Sequence, residues 1–214
     1  MRGSLSSCRT WLLGYWSKMV AVQHVLSALA TMSTVYNTTP ADDASIQAHH
    51  HPSSLHSSTV YFLRHGEKPL NGANGLSLQG QRRAECIKDL FGPSSERNVG
   101  YILAQKPRPD GRRSRPLKTV APLADALGLS IDTDCEREDE QCVEKKIRRF
   151  TSKKHPKGNV LVCWEHRAMT DIAREVGVKH LPEYPDDRYD LIWVATGKTI
   201  KIEHEHCPVI DTVL

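Results

Sequence analysis

The run Thr59-Val60-Tyr61-Phe62-Leu63-Arg64-His65-Gly66-Glu67-Lys68 decides the fold. Its first five residues are apolar, β-branched or aromatic, the composition of a strand buried on both faces, and the strand passes without a spacer into a basic, histidine-containing turn. Ser77 then reads as the N-cap of a helix over residues 78–91, stopped by Gly92-Pro93. Residues 99–104 (VGYILA) predict a second strand, 117–127 a helix closed by Gly128, and 141–152 a helix with Val143, Ile147 and Phe150 on one face. A third strand follows at 159–164 (NVLVCW), then a helix over 169–176 ended by Gly177. Last comes a strand pair, DLIWVAT and KTIKIEH, around Thr196-Gly197-Lys198. Strands alternating with helices predict an α/β fold, a mostly parallel central sheet covered by helices on both faces.

In an open parallel sheet the crevice lies beyond the carboxyl ends of the strands. The first strand runs into Arg64-His65 and the third into Glu165-His166, so two histidines are delivered to one rim. The loop after the second strand carries Arg108, Arg112, Arg113 and Arg115 towards the same edge. Histidines with arginines at one crevice suit phosphoryl transfer. The planar guanidinium binds phosphate oxygens bidentately and keeps its charge. A neutral imidazole attacks phosphorus and divides hydrolysis into two easier steps. Nearby guanidiniums keep that imidazole unprotonated and stabilise charge on the transferring oxygens, so the chemistry requires no metal or other cofactor.

Those segments resemble the histidine phosphatase (phosphoglycerate mutase-like) superfamily. FLRHGEK (62–68) followed by LSLQGQRRA (76–84) is similar to its signature of RHG and a Leu-Ser/Thr-x-x-Gly helix start. RPLKTVAPLADALGL (115–129) resembles the second block, an Arg four residues before a Thr in a helix, and NVLVCWEH (159–166) the strand leading to the second His. The resemblance implies a three-layer α/β/α sandwich and a metal-independent phosphatase acting on a phosphomonoester or phosphorylated protein side chain. It makes His65 the phosphorylated nucleophile and Arg64, Arg115 and His166 the rest of the phosphate pocket. The spacing to Thr119 selects Arg115 over Arg112 and Arg113.

The chain departs from the family pattern in two places. His166 is followed by Arg167-Ala168 and not by a carboxylate, which leaves the acidic run 136–140, with Glu138 or Asp139, as the source of the general acid. Glu165 is set aside because neighbouring side chains of a strand face opposite ways. The stretch 69–75 after RHG has no Arg, unlike the mutases, and no large insertion separates Arg115 from His166; both features resemble the short phosphatase branch. A mutase-type phosphoryl transferase and a non-catalytic phosphate-binding module are the alternative functions.

The remaining composition sets bounds. A net charge of +4, with basic and acidic residues interleaved, does not imply a nucleic-acid partner. The six cysteines show no CxxC pair, which argues against a structural zinc site; Cys135 and Cys142 form a disulfide if the protein meets an oxidising compartment. No window is apolar and long enough for a membrane span, 19–35 included. Residues 1–58 read as a disordered or targeting extension and linker, and 59–214 as the catalytic domain. The first 41 residues lack Asp and Glu and carry Arg2, Arg9 and Lys18, as transit peptides do. A secretory signal ending near residues 28–33, or a start at Met19 or Met32, are the other readings. A cytoplasmic or mitochondrial location is expected ahead of a secreted one. His49-His50-His51 are read as a solvated linker tract.

Overall fold

The computed structural model describes residues 58–152, 158–208 and 210. The readings of the N-terminal extension and of the His49–His51 tract therefore lie outside the described residues. The elements are β1 (Val60–Arg64), α1 (Leu78–Phe91), β2 (Val99–Ala104), α2 (Arg115–Leu127), β3 (Ile131–Asp132), α3 (Glu140–Thr151), β4 (Asn159–Trp164), α4 (His166–Glu175), β5 (Leu191–Thr196) and β6 (Thr199–His204).

The strands form one sheet in the order β3-β2-β4-β1-β5-β6. The β3-β2, β2-β4 and β4-β1 pairs are parallel; β5 runs antiparallel to β1, and β6 to β5. Side chains alternate across the central strands. Val60 and Phe62 of β1 and Val160, Val162 and Trp164 of β4 face one core, which α3 fills with Val143 and Ile147 and α4 with Met169 and Ile172. Tyr61, Leu63, Leu161 and Cys163 face the other, filled by Ile87 and Phe91 of α1 and Val120 and Leu123 of α2. Because both faces are covered, the central strands read as continuous apolar runs. The result is the three-layer α/β/α sandwich. Among the described residues no helix is long and apolar enough to cross a membrane.

Local signals set the helix ends. The Ser77 hydroxyl accepts from Gly80 N at 3.1 Å, capping α1. Gly128 closes α2 in the left-handed conformation, at φ 64°. Two helix starts differ from the sequence reading by two residues or more. Helix α2 begins at Arg115 and not at residue 117, since Pro116 is pre-set for a first helical turn. Helix α4 begins at His166 and not at 169, directly after β4. The two-residue β3 is too short to show any periodicity.

Candidate active site

Parallel pairing of β1 with β4 puts Arg64 opposite Trp164, so the chain leaves both strands side by side at their carboxyl ends. His65 N donates to Trp164 O at 3.1 Å and continues that alignment one residue past the strand. Gln105, leaving β2 at the same edge, accepts from Glu165 N through its side-chain oxygen at 3.3 Å. Three strand ends thus converge on a cavity of about 260 Å³ lined by His65, His166, Glu165 and Gln105. Apart from Pro116, its remaining wall is cationic, with Lys68, Arg113, Arg115, Arg137 and Arg167.

His65 is buried, with Nδ1 2.8 Å from Gly66 O. A carbonyl oxygen only accepts, so Nδ1 carries the proton and Nε2 keeps a bare lone pair. Burial lowers the His65 pKa to about 3; the Gly66 hydrogen bond opposes that shift, while Arg115, Arg64 and Lys68 reinforce it. The turn behind it is braced by α2. Gly66 N donates to Thr119 Oγ1 at 2.9 Å, and that hydroxyl donates to Arg115 O at 2.8 Å. Helix α1 braces it from the other side. Ser77 N donates to Glu67 O at 3.0 Å, and the buried Arg83 guanidinium spans Glu67, at 2.7 Å, and Glu205, at 2.5 Å.

His166 opens α4, and its Nε2 lies 2.5 Å from Asp186 Oδ1. Its Nδ1 is 3.0 Å from Glu165 Oε1, in distance an ion pair but not aligned as a hydrogen bond. Burial lowers the His166 pKa, the Asp186 hydrogen bond raises it, and Arg64 lowers it further. Arg115 lines the cavity, and its Nε is buried with no hydrogen-bond partner among the described residues. Arg64 sits elsewhere. It is buried outside the cavity lining, stacked 3.7 Å over the Tyr189 ring, with Nη1 facing the carbonyls of Pro185 (3.2 Å), Asp186 (2.7 Å) and Arg188 (2.5 Å). Its charge acts on both histidines from there.

The other residues singled out in the sequence divide. Arg113 joins Arg115 at the cavity, whereas Arg112 is exposed and paired with Asp110 at 2.6 Å. Asp139 is occupied as the N-cap of α3, accepting from Cys142 N at 3.0 Å. Glu138 is 59% exposed, lies 3.5 Å from Arg113 and 2.9 Å from Arg137, and is not part of the cavity lining.

Glu165 lines the cavity, although the sequence reading had set it aside. Strand alternation does not apply to it because β4 ends at Trp164; as the residue before α4, Glu165 shares the rim with His166. Its Oε2 is buried without a hydrogen-bond partner among the described residues. Asp186 lies in an irregular loop twenty residues after His166 and had no sequence signal at all.

No family model and no curated protein sequence matches the chain. Among solved structures, the protein histidine phosphatase SixA complexed with tungstate is similar at 16% identity and a TM-score of 0.51, over 69% of this chain and 97% of that one. A mycobacterial glucosyl-3-phosphoglycerate phosphatase shows 12% identity and a TM-score of 0.47, over 69% and 97%. A phosphoglycerate mutase from Bacillus anthracis shows 11% and 0.42, over 69% and 92%. The likeness to SixA, the one of the three with a TM-score above 0.5, shows a shared fold.

Proposed function

We propose that the chain is a metal-independent phosphatase that takes a phosphoryl group onto His65 Nε2 and passes it to water. The observation that carries this reading is the buried, neutral His65, which lines a cavity walled by arginines. Attack by the Nε2 lone pair forms a P–N bond as the ester P–O bond breaks, and the departing oxygen needs a proton. Water then attacks the phosphorus, the P–N bond breaks, and inorganic phosphate leaves. Arg115 and His166 bind the transferring oxygens, and the guanidinium charge takes the place of a metal. Glu165 supplies the proton in the first step and removes one from water in the second. The fold shared with SixA, a protein histidine phosphatase whose structure holds tungstate, supports phosphoryl chemistry.

The substrate is a phosphomonoester, and a cavity of about 260 Å³ suits a compact one. The test is a brief incubation with labelled substrate followed by alkaline denaturation. A base-stable, acid-labile label that is absent from His65→Ala is expected. An acid-stable adduct, or equal labelling of the variant, overturns the mechanism.

A further inference from the structure

The cavity holds more positive charge than one transferring phosphoryl group uses. Besides Arg115 and His166, it presents Arg113 and Arg137, both on the side where the acidic run 136–140 lies. One Glu138 oxygen, Oε1, lies 3.5 Å from Arg113 Nη2 and 2.9 Å from Arg137 Nε, the second an ion pair in distance but not aligned as a hydrogen bond. Two guanidiniums that reach the same oxygen are close enough to hold a single anionic group between them.

The main chain that carries both arginines is fixed. Arg113 has a left-handed backbone, at φ 60°, a conformation that non-glycine residues rarely adopt and that tends to persist where surrounding structure and function require it. The carbonyl of Arg137 accepts from Trp164 Nε1 at 3.0 Å, which ties this loop to the end of β4. The Cys135–Cys142 disulfide closes the same loop, and Cys135 O accepts from Lys106 N at 3.0 Å. Preorganised cations bind an anion at less ordering cost than free side chains do. Glu138 itself is 59% exposed, free to swing into solvent when another anion takes its place.

We infer that Arg113 and Arg137 form a second anion clamp beside the phosphoryl site and that the substrate is a compact bisphosphate whose second phosphate Glu138 imitates. This rests on the phosphatase reading of the first site. A phosphate is favoured over a carboxylate because it offers two guanidiniums more oxygens and more charge.

The test uses the full chain and three compounds with the same scissile alkyl phosphate: the bisphosphate of a three-carbon diol, its monophosphate, and the analogue with a carboxylate at the far end. The bisphosphate is expected to exceed the monophosphate in kcat/KM by about tenfold or more, mainly through KM. In the double variant Arg113→Gln/Arg137→Gln that ratio should fall to about one, whereas Glu138→Gln should raise it. Equal constants for the two phosphates, or a ratio that survives the double variant, overturns the clamp. A carboxylate analogue that matches the bisphosphate overturns the commitment to phosphate. Turnover of nitrophenyl phosphate by the wild type checks the first site separately. If that fails, calorimetric titration with the same compounds still reads the clamp, and loss of the bisphosphate preference there rejects it.

Discussion

His65 differs from an ordinary histidine in staying uncharged, with its one ring proton on Nδ1, at neutral and mildly acidic pH. With a pKa near 3 against the usual 6.5, the ring keeps its Nε2 lone pair far below the pH at which a solvated imidazole is protonated. The acid limb of any pH–rate profile therefore belongs to another group. By NMR, the His65 ring protons should not titrate between about pH 5 and 8; a midpoint near 6.5 would mean that the ring is not desolvated as described. Stability follows with a definite sign. Below about 6.5 the unfolded chain binds a proton here that the folded chain refuses until about pH 3, so folding stability falls as pH drops through that window. Substituting His65 with Asn should flatten that part of the profile. Glu165 supplies a second prediction at this scale. Glu165→Gln should lose about 10²- to 10⁴-fold on an alkyl phosphate, whose leaving group needs a proton, and much less on an aryl phosphate. Glu138→Gln and Asp139→Asn should keep the wild-type ratio of the two, because one side chain is solvated and the other caps α3. A changed ratio in either of those variants would return the acid to the 136–140 run.

At the scale of elements, the site exists because helix α1 comes into backbone contact with the turn that follows β1. A Cβ built on Gly80 meets Glu67 O at 2.7 Å and Glu67 N at 2.8 Å, and one on Gly66 meets Gly80 O at 2.9 Å. Neither partner is a flexible side chain, so Gly80→Ala must move the helix or the turn. A stability loss of about 1–3 kcal/mol in urea unfolding is expected, with a larger fall in kcat than Arg112→Ala causes. Normal activity in Gly80→Ala would show that the turn adjusts freely. The start of α1 was legible in the sequence through its Ser77 cap; the close approach at Gly80 was not, because it depends on how the helix packs against the turn. The long apolar strands were equally legible, and β2 and β4 match their sequence bounds. The place of Glu165 was not, because its reading turned on whether β4 ended before or after it. A one-residue boundary decides which face a side chain takes. Nor was Asp186 legible, since a loop contact leaves no periodicity. Arg64 shows a third limit: its place in the chain beside His65 did not reveal that β1 aims it at the carbonyls of the 185–188 loop and the Tyr189 ring.

For the whole molecule, cross-links do part of what packing does in the layers. Cys135–Cys142, read from the sequence as a pair contingent on an oxidising environment, is joined, and so is Cys86–Cys207, for which spacing gave no hint. Disulfides of this kind form and persist where the surroundings are oxidising. Cys163 is of another kind, buried in the core with its thiol pKa pushed up by desolvation. The two bridges should differ in what their loss does. Cys86–Cys207 spans 121 residues and fastens the tail beyond β6 to α1, one turn from the Arg83 that ties Glu67 to Glu205. Cys135–Cys142 spans only 7. On the chain-entropy account the long loop contributes about 5 kcal/mol and the short one about 2 kcal/mol. Urea unfolding of the paired Cys→Ala variants should follow that order. Kinetics should reverse it for the bisphosphate, because the short bridge closes the loop that carries Arg137 into the cavity. Cys135→Ala/Cys142→Ala should raise KM for the bisphosphate more than for the monophosphate while costing less stability than Cys86→Ala/Cys207→Ala. If the short-bridge variant loses both substrates equally, the bridge holds the fold and not the clamp.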